Sequence, residues 1–76
     1  MDEKERLRKA VDEFALKMKA KLLEKHAEGY VGWDDAGNYN EIAQLLMMTT
    51  LQLIEGEEHQ AVNVANYAMM MDRFSK

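Results

Sequence analysis

Apolar positions recur at helical spacing in three stretches of this chain, and the stripe differs in each. In the first, Leu7, Val11, Phe14, Met18, Leu22 and His26 follow one another at steps of three and four. Ala10, Ala15 and Leu23 widen the stripe, and charges fill the opposite face. That period predicts an amphipathic helix over about residues 3–27. Acids sit near its start and lysines in its later turns, as the macrodipole favours, and Gly29 takes the left-handed position that ends it.

Residues 28–39 break the period. Glycines, Asp34, Asp35 and Asn38 are turn formers, while Tyr30, Val31, Trp33 and Tyr39 bring large apolar area. A loop of that composition is expected to fold back over the helices. Asn38 or Asn40 can cap a second helix, over about residues 40–54, whose body IAQLLMMTTLQLI is apolar nearly all round. After the turn Glu55-Gly56-Glu57-Glu58, a third helix is predicted over about residues 57–74. The expected architecture is a single all-α domain over residues 1–76: a long N-terminal helix, a packed Gly/aromatic loop and an antiparallel helical hairpin.

The second and third helices carry more apolar surface than three helices can cover. At about 100° per residue, Met69, Met70 and Met71 fan over roughly 200° of one helix, and Met47 and Met48 broaden the apolar arc of the other. A homodimer built as a helical bundle is the expected solution, with these five methionines as the self-association surface. A methionine-rich surface for another protein is the alternative.

Composition narrows the chemistry. With no cysteine among its 76 residues the chain has neither a disulfide framework nor a thiolate zinc site. No apolar run reaches the roughly 20 residues a bilayer requires, and the N-terminus lacks the apolar stretch of a signal peptide, so a cytoplasmic protein without membrane contact is expected. The net charge of −4 is unevenly spread: residues 1–28 hold eight of the ten Lys and Arg, interleaved with acids. From His26 through Asp72 there are eight acids, Asp72 included, and no Lys or Arg. Without a basic stripe, direct nucleic-acid binding is not expected. The acidic stretch suits a basic protein partner, with Tyr30, Trp33, Asp34, Asp35 and Tyr39 as the contact loop.

Gln60, Asn63, Asn66 and Tyr67 share one stripe of the third helix. Amides in an apolar helix need partners, so they predict an interhelical hydrogen-bond network, a polar edge or a ligand site. Glu57, Glu58 and His59 point in different directions and read as a solvated turn, and His26 as a structural histidine at a helix C-terminus.

The run AVNVANYAMMMDRF, together with the lead-in FALKMKAKLLEKHAEGYVGWDD, resembles the small phage-encoded members of the MazG-like all-α nucleotide pyrophosphohydrolases. Their last helix has the pattern E-x-x-D-V-A-N-F-A-M-M, and the similarity extends over residues 14–74. The resemblance implies an all-α scaffold on which an ExxE and an ExxD motif hold Mg²⁺ against phosphates. At the matching positions this chain has Glu41 and Gln44, then Gln60 and Asn63, so one carboxylate of four remains. Amides cannot balance the charge of the ion. The resemblance therefore implies no catalytic residues and no metal cofactor, with Trp33 and Asn66 as possible nucleotide contacts. The expected function is that of a non-catalytic, acidic, phage-type protein acting through protein–protein interaction. Inhibition of a host defence or nucleic-acid-handling complex in the bacterial cytoplasm is its envisaged form. The alternatives are an active Mg-dependent nucleoside triphosphate pyrophosphohydrolase and a nucleotide-binding module without hydrolysis.

Overall fold

The structure, a computed structural model, describes residues 2–74. Among these residues it is all-helical: α1 (Glu3–Ala27), a short 3-10 turn (Ala36–Asn38), α2 (Tyr39–Ile54) and α3 (Gln60–Phe74). No helix among them is long and apolar enough to cross a membrane.

α1 has the bounds its period predicts, and both ends have local causes. The Asp2 carboxylate accepts from the Glu5 amide at 2.8 Å. At the other end Gly29 adopts φ +97°, the Gly29 amide donates to His26 O and the Tyr30 amide to Lys25 O. These are the paired bonds of a Schellman stop. α2 ends in the same way: Gly56 is left-handed, its amide donates to Leu53 O, and the Glu57 amide reaches back to Gln52 O.

The third helix starts later than its sequence predicts, at Gln60 rather than about residue 57. After the Schellman stop the chain runs through Glu57 and Glu58 to His59, whose φ of +67° lies in the left-handed region. One left-handed residue is incompatible with the helical hydrogen-bond ladder, so the helix begins immediately after it. α2 begins one residue early, at Tyr39. Asn38 stands at its N-cap position without a side-chain cap bond; its backbone (φ −95°, ψ 8°) is outside the extended region typical of a cap, and its side-chain nitrogen donates to Gly32 O instead.

α3 is the element on which both other helices pack. Its exposed positions are the small Ala61 and Ala68 and the charged Asp72 and Arg73, while its large apolar side chains are half-buried or buried. The apolar interior is thin: among the described residues only Ile42 (6% exposed) and Met70 (8%) are buried hydrophobics, and Thr49 and Asn66 are the buried polar residues. Thr49 satisfies its hydroxyl within α2, donating to Leu45 O at 2.8 Å. On α1 the stripe is half-buried at Phe14, Met18 and Leu22, whereas Leu7 and Val11 are 61% and 66% exposed.

Two expectations change here. The aromatic loop does not pack as a unit: Tyr30 and Val31 are exposed, with Tyr30 held to Lys25 at the end of α1, while Trp33 and Tyr39 meet the end of α3. Of the five methionines assigned to a self-association surface, Met70 faces the interior and Met69 and Met71 are half-buried, which leaves Met47 and Met48 fully on the outside. The reason is directional. Met70 falls on the same face of α3 as Asn66, four residues earlier, and that face meets α1 and α2.

Candidate functional site

The main concavity is an open groove of about 830 Å³. The last turns of α1 form one wall (Lys21, Leu22, Lys25, His26), the loop closes an end (Tyr30, Trp33, Asn38), and α2 and α3 supply the rest. From α2 come Glu41, Ile42 and Leu45; from α3 come Asn63, Asn66, Tyr67, Met69 and Met70.

Loop chemistry sets the closed end. Gly32 adopts φ +84°, and its carbonyl accepts from the Asn38 side-chain amide at 2.8 Å. A Cβ on Gly32 would stand 2.9 Å from that same amide nitrogen, so glycine is required for the close approach as well as for the dihedral. Asp35 Oδ1 accepts from the Gly37 amide at 2.8 Å and caps the 3-10 turn. With the turn fixed, Trp33 lies under the Arg73 guanidinium, 5.4 Å from its ring centroid, and Tyr39 meets Phe74 at 6.0 Å with the rings tilted by 58°. Both partners come from the last two residues of α3. Lys25, at the end of α1, lies 5.3 Å from the Tyr30 ring.

The amide stripe of α3 divides. Asn63 donates to Gln60 Oε1 at 3.0 Å within the helix. Asn66, only 3% exposed, donates across to Met18 O of α1 at 3.4 Å, and its Oδ1 is buried without a hydrogen-bond partner. An acceptor in that state carries an unmet desolvation cost of about 1–3 kcal/mol.

Of the four positions that the resemblance ties to metal, the groove brings Glu41 and Asn63 onto its wall. Gln60 is paired with Asn63 instead, and Gln44 is exposed on α2 outside the groove. Among the described residues no three His, Cys, Asp or Glu side chains come together as a metal site would need. Trp33 and Asn66 both line the groove. Asp34 is exposed beside Trp33, and Asp35 is occupied as a cap. His26 is exposed rather than enclosed, on the α1 wall. Glu57, Glu58 and His59 form an exposed turn in which His59 Nε2 lies 3.7 Å from Glu58 Oε2.

Sequence reasoning missed Arg73, Phe74 and the Met18 carbonyl, which are tertiary partners with no local signal. It also missed Leu51 and Ile54, which a signal did mark. With Met47 they stand at i, i+4 and i+7, one stripe of α2 opposite buried Ile42 and Thr49, and all three are exposed. Comparison of the chain with protein-family models, with curated proteins and with solved structures finds no match.

Proposed function

We propose that this protein is a non-catalytic interaction module that works as a homodimeric helical bundle, with α2 and α3 as an antiparallel hairpin at its centre. The observation that carries the reading is the unfinished interior. The accessible surface is 6111 Å², against about 4,800 Å² for a compact monomer of 8.8 kDa. The excess of about 1,300 Å² exceeds the roughly 800 Å² that each partner contributes to a standard protein interface. Large hydrophobics stand exposed on both α1 and α2. Sedimentation equilibrium at micromolar concentration tests this reading: a dimer mass is expected, and a clean monomer overturns it.

The second partner in this reading is a basic protein surface. Support comes from the acidic stretch between His26 and Asp72 and from the exposed Tyr30, Val31 and Asp34 at the loop. On the MazG-like resemblance, the module uses a pyrophosphohydrolase-type scaffold whose acidic positions are mostly amides, and acts by occluding a host complex. Capture from bacterial lysate with the wild-type chain, against an Asp34→Lys, Asp35→Lys variant, tests it. Partner recovery should fall in the variant, most steeply at low salt.

One observation favours a nucleotide-binding module without hydrolysis as a second reading: Trp33, Asn63 and Asn66 line the same groove, with Lys21 and Lys25 on the facing wall. Titration calorimetry with nucleoside triphosphates, with and without Mg²⁺, separates the readings. Metal-dependent pyrophosphate release that disappears in Glu41→Gln would overturn both in favour of an active enzyme.

A further inference from the structure

Among the apolar surfaces left uncovered, two are complementary. The first is the N-terminal half of α1. A helix of 25 residues is about 37 Å long, most of the molecule's 44 Å long axis. The stripe packs at Phe14, Met18 and Leu22, while Leu7 and Val11 project with every residue of the segment 2–13 exposed. The second is the outward stripe of α2, with Met47 74% exposed, Leu51 58% and Ile54 76%.

We infer that these surfaces cover each other between two copies of the chain: the N-terminal arm of α1 of each copy lies along the Met47–Leu51–Ile54 stripe of the other. The inference rests on the dimer reading above and specifies which faces meet.

Charge sets the direction of the arm. Lys4 lies on the arm's stripe with Leu7 and Val11, and Arg8 lies along its edge. The α2 stripe ends at Ile54, beside the exposed Glu55, Glu57 and Glu58 and the negative end of the helix dipole. An antiparallel arm sets Leu7 by Ile54 and Val11 by Leu51, and brings Lys4 to those acids. It also opposes the two helix dipoles favourably. A twofold axis makes the contact twice, so one self-complementary interface covers both exposed surfaces of both copies. The excess surface of about 1,300 Å² per chain is enough for it.

The chain has no cysteine, which makes cross-linking selective. Leu7→Cys and Ile54→Cys, prepared separately and mixed in equimolar amounts under mild oxidation, should give a disulfide-linked heterodimer. A Leu16→Cys and Ile54→Cys mixture, with Leu16 exposed on the opposite face of α1 from Leu7, should not. Leu7→Glu with Val11→Glu should raise the dimer dissociation constant about tenfold or more with helix content unchanged, since two apolar anchors leave the interface. Lys4→Glu with Arg8→Glu should also weaken the dimer, and mixing that variant with Glu57→Lys, Glu58→Lys chains should restore association. A wild-type chain that sediments as a monomer overturns this inference and the dimer reading together. A dimer that neither forms the 7–54 cross-link nor weakens in Leu7→Glu, Val11→Glu overturns the arm exchange alone.

Discussion

Asn66 of α3 joins Met18 of α1 across 48 residues of chain, its amide donating to the Met18 carbonyl at 3.4 Å while its own Oδ1 lies buried and unpaired. This contact ties the long helix to the rest of the fold, in an interior that otherwise rests on little more than Ile42, Met70 and Thr49. It is also a costly one, since one of the amide's two polar atoms is buried without a partner.

The first prediction follows from that cost. Asn66→Leu removes the unpaired acceptor and fills a similar volume, so stability in urea should change by less than about 1 kcal/mol. Asn66→Asp removes the donor to Met18 and places a carboxylate in the same buried site, and should destabilise by about 3 kcal/mol or more. Equal losses in the two variants would show that shape alone, and not the polar group, holds the position.

The closed end of the groove gives a second. Gly32→Ala puts a Cβ 2.9 Å from the Asn38 amide nitrogen at φ +84°, whereas Gly29→Ala, at φ +97°, meets nothing within 4 Å. Both variants bear the left-handed cost of about 1 kcal/mol. Only Gly32→Ala should also break the Asn38 bond and release the turn under Trp33. The chain has a single tryptophan, so its emission reads that change directly: it should shift in Gly32→Ala and stay constant in Gly29→Ala.

Trp33 and Arg73 form a third. Their contact is partly exposed, so Arg73→Ala should cost only about 0.5–1 kcal/mol in thermal or urea unfolding. It should nevertheless alter the tryptophan's emission and its access to a soluble quencher. Unchanged quenching would mean that the loop is held by the Tyr39–Phe74 pair and the Asn38 bond without help from Arg73.

These sites also show what the chain's order of residues reveals. α1 was legible because its determinants are local, a steady period and a glycine stop at Gly29; the Asp2 carboxylate cap is what the structure adds. The start of α3 was not, because Glu57 and Glu58 look like a helix first turn and nothing in the sequence marks His59 as left-handed. The methionine run did not reveal its direction: Met70 turns inward because the amide face of α3 is the packed one. Trp33 and Asn66 were singled out by the resemblance as possible ligand contacts and both line the groove, whereas their partners Arg73 and Met18 carried no such signal. Their roles arise only when α1, the loop and α3 converge.

His59 supplies the last prediction. Its backbone is left-handed at φ +67°, its side chain is almost fully exposed, and its position sets where α3 begins. A non-glycine residue bears roughly 1 kcal/mol there. His59→Gly removes the Cβ clash but adds freedom to the unfolded chain, and His59→Asn keeps a side chain that tolerates this conformation. Both should therefore raise stability modestly, by about 0.5 kcal/mol, with Asn at least as good as Gly. His59→Val, β-branched and ill-suited to positive φ, should lower it by about 1 kcal/mol. If the turn instead followed the sequence expectation and α3 ran from residue 57, position 59 would be helical and the order would invert, with glycine the most damaging of the three. The rank order of three urea midpoints therefore decides where the third helix starts.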